Sequence, residues 1–373
     1  MSHRRFRSLD SLRGIAALTV MLSHAMGSAH LDPLSPLVRF TPLRLLENGR
    51  SAVIFFFVLS GFVLTLAIRG DRLSYPRYVV RRFCRIYLPF AGAVIIAAIL
   101  ATLVGAHRLP GETSRIPDWS DYSAHAVMRH FLMTGMRRDT ELDGVVWSLI
   151  HEMRISLVMP VLVALFAWRP VTMSVLASAL SLAAFVALGR VGESGGLYEA
   201  KSLANSLLMT AYYLLPFTVG IAAAIAVERR TLPGWLATPW GFAPLGGTLL
   251  LHFGMPGILA DAMTAFVGAW LIIVVITNER LSNWLEIAPL LWLGRVSYSL
   301  YLFHLLVMLS LINLLHSVLS PIVTAAIAVP ACLVAAQVVY RLIERPSVRL
   351  GARLSGSRAN AAWGQDPGQP AKT

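Results

Sequence analysis

The sequence predicts an all-α protein, a polytopic bundle of about ten transmembrane helices. Of its 373 residues, 56% are hydrophobic and only 14% are charged, and the mean hydropathy is +0.66. A soluble domain of this length needs more polar surface than such a composition provides. Ten apolar stretches are long enough to cross a bilayer, at residues 13–30, 50–68, 87–106, 145–167, 171–189, 205–227, 240–258, 262–277, 290–312 and 321–341.

The distribution of basic residues predicts the orientation of these stretches. The chain carries 32 Lys and Arg against 19 Asp and Glu, a formal charge of +13. About twice as many basic residues fall on the side of the N-terminus as on the other side, so the positive-inside rule places both termini in the cytoplasm. Topology and anionic membrane lipids account for the charge, and no nucleic-acid partner is expected.

The chain is predicted to form a single membrane domain, over residues 1–350. The basic N-terminus leads into an apolar run without a small-residue cleavage site, which favours a retained first helix over a cleaved signal peptide. Residues 351–373 are small, polar and Pro/Gly-bearing, a composition typical of a disordered tail, here cytoplasmic. Cys84 and Cys332 are both expected near the cytoplasmic face, where thiols stay reduced, so no disulfide is predicted.

Arg13 and His24 lie eleven residues apart in the first apolar stretch. Eleven residues of an α-helix return to nearly the same face, about 16 Å further along the axis. Ionisable groups inside a membrane are costly, so they usually line a cavity or pair with a partner. A guanidinium near the basic end and an imidazole deeper in the membrane indicate a site for an anionic substrate.

Arginines accumulate after the second apolar stretch, at Arg69, Arg72, Arg77, Arg81, Arg82 and Arg85. The residues alone leave two interpretations open. Positive charge beside the membrane anchors a protein to anionic lipid, and several guanidiniums together also bind phosphates bidentately. Just upstream, Ser60 and Gly61 are small residues in mid-span, which predicts close helix packing.

Two later stretches also carry polar side chains into the membrane. In the fourth, Glu152 and Arg154 are two residues apart and therefore do not share a helix face, so each needs its own partner. A functional role is favoured for Glu152. The ninth stretch presents one polar stripe at three-residue steps, formed by Arg295, Tyr298, Tyr301 and His304.

Two kinds of catalytic site are not supported by the sequence. Residues 192–196 match the G-x-S-x-G pattern of a nucleophile elbow, but that motif requires a strand-to-helix turn, and this copy lies in a short loop between membrane helices. No H-E-x-x-H motif, paired cysteines or clustered carboxylates indicate a bound metal.

Five blocks of sequence together resemble the acyltransferase-3 family. In chain order they are LDSLRGIAALTVMLSH, FFFVLSGFVL, RRFCRIYLP, WSLIHEMR, and LGRVSYSLYLFH followed by ERP, and they extend from residue 9 to about residue 346. Members of the family are integral membrane acyltransferases that modify polysaccharides, peptidoglycan, lipids and antibiotics in bacteria. The resemblance implies a multi-pass protein of the bacterial cytoplasmic (inner) membrane.

The resemblance also assigns roles to individual residues. It implies that Arg13 and His24, which match the Arg-x10-His pattern of the family, are needed for activity. The basic positions of the family fall on Arg69 or Arg72 and on Arg82 and Arg85, and its acidic position falls on Glu152. Ile155 and Ser156 replace the Phe-Tyr of the commoner form, which bears on acceptor preference.

Residues and resemblance together predict a membrane O-acyltransferase. The arginines would hold the phosphates of cytosolic acyl-CoA, with acetyl-CoA as the expected donor substrate and no permanently bound cofactor or metal. His24 would act as general base or as a covalent acyl relay toward a glycan or lipid-linked acceptor, and Glu152 would orient or charge-balance it. Tyr298, Tyr301 and His304 are further substrate-site candidates.

Two alternatives are compatible with the same residues. Intramembrane His, Glu and Arg with Gly/Pro-interrupted helices also describe a proton-coupled transporter or exporter of a small anionic metabolite. The lack of an evident inverted repeat disfavours that alternative. A lipid-binding scaffold without turnover leaves the depth of His24 unexplained.

Overall fold

The computed structural model describes residues 6–28, 48–70, 74–104, 119, 124–136, 142–192, 197–232, 234–237 and 257–356. These residues form helices and their connections and contain no β-strand, which confirms the predicted all-α fold. The α-helices are α1 Arg7–Ser28, α2 Gly49–Gly70, α3 Tyr75–Val104, α4 Ala124–His130, α5 Val146–Trp168, α6 Pro170–Arg190, α7 Leu203–Tyr212, α8 Leu214–Glu228, α9 Gly257–Thr277, α10 Glu279–Leu285, α11 Ala288–Leu315, α12 Pro321–Val339 and α13 Arg345–Leu354.

Eight helical segments of the described chain are long and apolar enough to cross a membrane: α2, α3, α5, α6, α7 with α8, α9, α11, and α12 continued into α13. They coincide with eight of the ten predicted stretches. The predicted stretch 240–258 lies outside the described residues. The first predicted stretch, 13–30, forms α1. Its mean hydropathy is lower than that of the eight segments, because polar residues such as Arg13 and His24 interrupt its apolar run.

Helices α1 and α11 run parallel, with their backbones in direct contact. A Cβ atom on Gly14 would lie 2.5 Å from the backbone nitrogen of Gly294, and one on Gly294 would lie 2.2 Å from the carbonyl oxygen of Asp10. Only glycine permits so close an approach. This crossing sets the register between the helix that carries Arg13 and His24 and the helix that carries the predicted polar stripe.

A second glycine contact joins α2 to α8. A Cβ atom on Gly61 would lie 2.1 Å from the carbonyl oxygen of Phe217, and one on Gly220 would lie 2.1 Å from that of Val58. The packing role predicted for Gly61 is therefore confirmed. Since Gly61 faces α8, the neighbouring Ser60 is directed toward a different set of helices.

The end of the described chain packs against α3. Gly351 of α13 lies on Cys84, and Arg81 donates a hydrogen bond to the Ser355 hydroxyl at 2.9 Å. A π-helical turn, Tyr340–Glu344, connects α12 to α13. Helix α13 continues four residues beyond the predicted domain end at residue 350, and residues 357–373 of the predicted tail lie outside the described residues.

Candidate functional site

A cavity lies between α1, α2, α3, α5 and α11. Its water-accessible volume is about 70 Å³, room for about five water molecules. Helices that are distant in the sequence meet here, and each contributes residues that the sequence had singled out. Six predicted site residues line the cavity: Arg13, Arg82, Arg85, Glu152, Tyr298 and Tyr301.

The two ends of the cavity differ in chemistry. Along α2 the lining runs from Leu64 to Val53, eleven residues or about 16 Å of helix. The end near Leu64, toward the predicted cytoplasmic side, carries the guanidiniums of the three lining arginines. The opposite end is lined by apolar side chains and by the hydroxyl groups of Ser148 and Tyr301. We call these the inner and the outer end.

At the inner end Arg82 forms an ion pair with Glu152. The Arg82 Nη2 atom lies 3.1 Å from Glu152 Oε1 and 2.7 Å from the Ser156 hydroxyl, and Ser60 contacts the same carboxylate oxygen at 3.5 Å. Arg82 is only 6% exposed, and its Nε atom has no hydrogen-bond partner among the described residues. Ser156, where the sequence departs from the commoner family form, thus helps to hold the guanidinium.

The predicted pairing of Glu152 with His24 is wrong. The Glu152 carboxylate is bound by Arg82 and Ser60, because α5 packs against α3 and α2 at the level of the arginines. His24 lies further along α1 and contacts α11 instead. A carboxylate also forms a stronger hydrogen bond with a guanidinium than with a neutral imidazole, since donor and acceptor are then both charged.

Glu344 is a second acidic residue near the arginines, and sequence reasoning missed it. Its Oε2 atom accepts hydrogen bonds from the Ser299 hydroxyl at 2.6 Å and from the Ser299 backbone N–H at 3.2 Å. Its charge also interacts with Arg85 and Arg13. Glu344 ends the π-helical turn, and such turns occur frequently at functional sites. The sequence did contain a signal for this site, because Glu344 is the acidic residue of the ERP block.

Beyond the outer end, His24 and His304 form a hydrogen-bonded pair. Nδ1 of His24 lies 2.9 Å from the Val20 carbonyl oxygen and 3.3 Å from His304 Nε2, and His304 Nδ1 lies 3.0 Å from the Leu300 carbonyl oxygen. A carbonyl oxygen only accepts, so these bonds assign the proton to Nδ1 in both rings. His304 Nε2 is then an acceptor for His24, and His24 Nε2 carries the lone pair.

Tyr301 lies between the cavity and the histidine pair. Its hydroxyl is 2.6 Å from the Ser148 hydroxyl and donates to the Val145 carbonyl at 3.2 Å, while its ring is 6.2 Å from the His304 ring. His24 itself is not among the described residues that line the cavity. Tyr301 therefore lines the cavity and also lies next to the His304 ring.

The other predicted site residues have separate places. Tyr298 donates to the Ile86 carbonyl at 2.9 Å, which ties α11 to α3. Arg69 lies outside the cavity lining, partly exposed and paired with Glu228. Arg72 lies outside the described residues. No group of three His, Cys, Asp or Glu side chains in the described chain is arranged to hold a metal ion.

Arg154 is held by a network of its own, as predicted from its spacing to Glu152. It donates to the Ser206 and Thr210 hydroxyls at 2.9 and 3.0 Å. It also donates to the carbonyls of Met133 and Thr134 at 3.2 and 2.8 Å. Through these bonds Arg154 connects α5 to α7 and to the segment after α4. Its role in the structure is therefore to hold these elements together.

A further ion pair, Arg50 with Asp261, joins α2 to α9 and was also missed. Arg50 binds both carboxylate oxygens, at 2.9 and 2.6 Å, and Tyr212 donates to the same carboxylate at 2.7 Å. The signal was present in Asp261, an acid in an otherwise apolar helix, because such an acid needs a cation nearby. The partner could not be chosen without the tertiary contact.

Comparison with known proteins identifies one matching family model and relatives that align over nearly the whole chain. A family model described as "Acyltransferase domain" matches residues 6–341. The chain is 24% identical to Nodulation protein 10 of Rhizobium leguminosarum bv. viciae over 399 residues, covering 95% of this chain and 96% of that protein. It is 25% identical to Acyltransferase MdmB of Streptomyces mycarofaciens over 387 residues, covering 97% and 96%. No solved structure matches the chain.

Proposed function

The chain belongs to the acyltransferase-3 family of membrane O-acyltransferases, and we propose that it transfers an acetyl group from cytoplasmic acetyl-CoA to a hydroxyl of an envelope polysaccharide or another glycan or lipid-linked acceptor. Family membership favours an enzyme over the transporter and scaffold alternatives. The observation that carries the proposal is the arrangement of the cavity, in which arginines lie at one end and Tyr301, the neighbour of the histidine pair, lies at the other.

The inner end suits the donor. Acyl-CoA carries several phosphates, and guanidiniums bind phosphate more specifically than other cations do. Arg13, Arg82 and Arg85, which line this end, would attract the anionic donor. Arg69 and Arg72, at the cytoplasmic end of α2 and just after it, would contact the phosphates that remain outside the cavity. The extended pantetheine arm would then direct the thioester toward Tyr301.

The histidine pair suits the chemistry of transfer. His24 Nε2 takes the proton of the acceptor hydroxyl while the hydroxyl oxygen attacks the thioester carbonyl. The C–S bond then breaks, and the CoA thiolate leaves with the proton returned from the imidazolium. His304 acts as a positioning residue, since its Nε2 atom and the Val20 carbonyl both accept a hydrogen bond from the His24 Nδ1–H and so leave Nε2 as the basic nitrogen. A covalent relay through an acyl-histidine would use the same nitrogen as nucleophile.

Thiol release from acetyl-CoA tests this proposal. The full chain in nanodiscs is supplied with an envelope polysaccharide fraction, and wild type is compared with His24→Ala. The matched control is His316→Ala, which removes an imidazole at the far end of α11. We expect release by wild type and the control and a loss of about 10²-fold or more in His24→Ala. Equal release by all three proteins would exclude His24 as the catalytic base.

A further inference from the structure

The outer end of the cavity has a shape and a polarity that the transfer chemistry alone does not require. Val53, Phe57 and Leu149 line it together with Phe56. None of these side chains can hydrogen-bond to a CoA phosphate or to the hydroxyl of an acceptor. An apolar wall next to a catalytic residue binds an apolar part of a substrate.

Phe56 closes this end on the side of the histidines. Its ring meets the Tyr301 ring edge-on, with centroids 5.7 Å apart. It also packs against the buried cluster of α1, α11 and α12 that includes Met21 and Leu300. Phe56 therefore lies between the outer end of the cavity and the cluster around Met21 and Leu300, on the parts of α1 and α11 near His24 and His304.

The neighbouring aromatic wall is rigid, whereas Phe56 has fewer neighbours that restrain it. Phe57 is 2% exposed and stacks on Phe217 at 5.0 Å, with Trp147 and Tyr213 packed against its edges. Phe56 is half-buried and has one aromatic neighbour among the described ring contacts. Truncation of Phe56 would extend the cavity, while truncation of Phe57 would disturb the core.

We propose that the outer end is the binding site for the acyl group and that Phe56 limits the acyl chain to a short one, of about four carbons or fewer. The proposal rests on the proposed function, because it assumes an acyl-CoA donor. The whole cavity has space for only about five water-sized atoms, so its outer end accommodates at most a thioester carbonyl with a short chain and excludes a long one. The Phe56 ring occupies the space into which a longer chain would extend.

Binding of acyl-CoA to the full chain in nanodiscs tests the proposal without an acceptor. Affinities are measured for CoA and for its acetyl, butyryl, hexanoyl and octanoyl thioesters, with wild type, Phe56→Ala and Phe55→Ala. Phe55 is the matched control, since it is the adjacent phenylalanine and faces α9, where its ring approaches Gly268. Each methylene buried in an apolar site strengthens binding by roughly fourfold.

We expect wild type and Phe55→Ala to prefer acetyl-CoA to hexanoyl-CoA. In Phe56→Ala the ratio of the two affinities should shift toward hexanoyl-CoA by about tenfold or more, with the affinity for CoA itself unchanged. Unchanged chain-length preference in Phe56→Ala, with CoA still bound, would overturn the role of Phe56 alone. Octanoyl-CoA bound by wild type as tightly as acetyl-CoA would overturn the short-chain site. Failure of all three proteins to bind CoA would instead overturn the proposed donor.

Discussion

The Nε2 atom of His304 lies 3.3 Å from the Nδ1 atom of His24, so two histidines 280 residues apart share one hydrogen bond. The rings are tilted by 48° with centroids 5.1 Å apart, so this contact is a hydrogen bond between edges and not a stack. The bond from His304 Nδ1 to the Leu300 carbonyl orients the second ring. His304 thus acts together with the Val20 carbonyl, 2.9 Å from the same Nδ1 atom, to leave Nε2 as the basic nitrogen of His24.

Replacement of His304 should show whether its hydrogen bond to His24 supports catalysis or whether its side chain only fills space between the helices. His304→Leu removes one of the two acceptors of the His24 Nδ1 proton and leaves only the Val20 carbonyl, and we expect kcat for acyl transfer to fall by about 10²-fold. His304→Gln retains a carbonyl acceptor and should recover activity to within about tenfold of wild type. Melting temperatures of the two variants, measured beside kcat and its pH profile, serve as the control. If Leu and Gln lower kcat equally at equal melting temperature, the hydrogen bond to His24 has no positioning role.

The Arg82–Glu152 pair should stabilise the bundle only as a pair. Glu152→Ala leaves a nearly buried guanidinium without its carboxylate, which should lower the free energy of unfolding by about 3 kcal/mol. The exposed Glu279→Ala is a control that should leave the melting temperature unchanged. The double variant Arg82→Met with Glu152→Leu should recover most of the stability and none of the activity. A Glu152→Ala protein that melts like wild type would contradict this prediction.

The contact of α1 with α11 should not tolerate a side chain at Gly294. In Gly294→Ala the new Cβ atom would meet the Asp10 carbonyl at 2.2 Å, so the helices must separate and the His24–His304 bond must lengthen. We expect a loss of both melting temperature and acyl transfer. Gly27→Ala places the same methyl group on α1 where no atom of the described residues lies within 4 Å, and it should be neutral or slightly stabilising. Equal behaviour of the two variants would argue against a backbone contact.

Asp143, in the loop before α5, should make stability depend on pH. Burial raises the pKa of its carboxyl to about 8, and its Oδ2 atom has no hydrogen-bond partner among the described residues. Because the folded pKa lies above the unfolded value of about 3.9, the folded state favours the protonated form. Stability is then fully present below about pH 4 and is lost as the pH rises to about 8.

Asp143→Asn should remove this dependence, since the amide is neutral at every pH. The difference in melting temperature, variant minus wild type, should increase from about pH 4 to about pH 8 and then level off. A difference that is the same at all pH values would show that the Asp143 carboxyl has an ordinary pKa.

Helix geometry allowed part of the site to be predicted from the sequence. The eleven-residue spacing placed Arg13 and His24 on one face of α1, and in the structure Arg13 lines the cavity while His24 lies beyond it and contacts His304 of α11. The three-residue steps on α11 likewise predicted a stripe, and Tyr298 and Tyr301 line the cavity next to His304. The period of the α-helix is enough to predict which side chains of one helix share a face.

Contacts between helices could not be predicted in the same way. Glu152 was expected to orient or charge-balance His24, but its pairing with Arg82 depends on which helices pack together. Asp261 likewise indicated a buried cation without identifying Arg50, which lies 211 residues away. The role proposed for Phe56 depends on the shape of a cavity that five helices form together. Its sequence context, FFFVLSGFVL, predicts only an apolar membrane helix.

The glycine contact of α1 with α11 also restricts how substrates reach the histidines. Two helices whose backbones touch cannot slide or rotate past each other without a clash, so Arg13, His24 and His304 keep their mutual positions throughout a catalytic cycle. Any opening that admits the donor or releases the product must therefore come from α2, α3 or α5, the other walls of the cavity. On the proposed mechanism the reaction centre would stay at one fixed point in the membrane, and both substrates would have to travel to it.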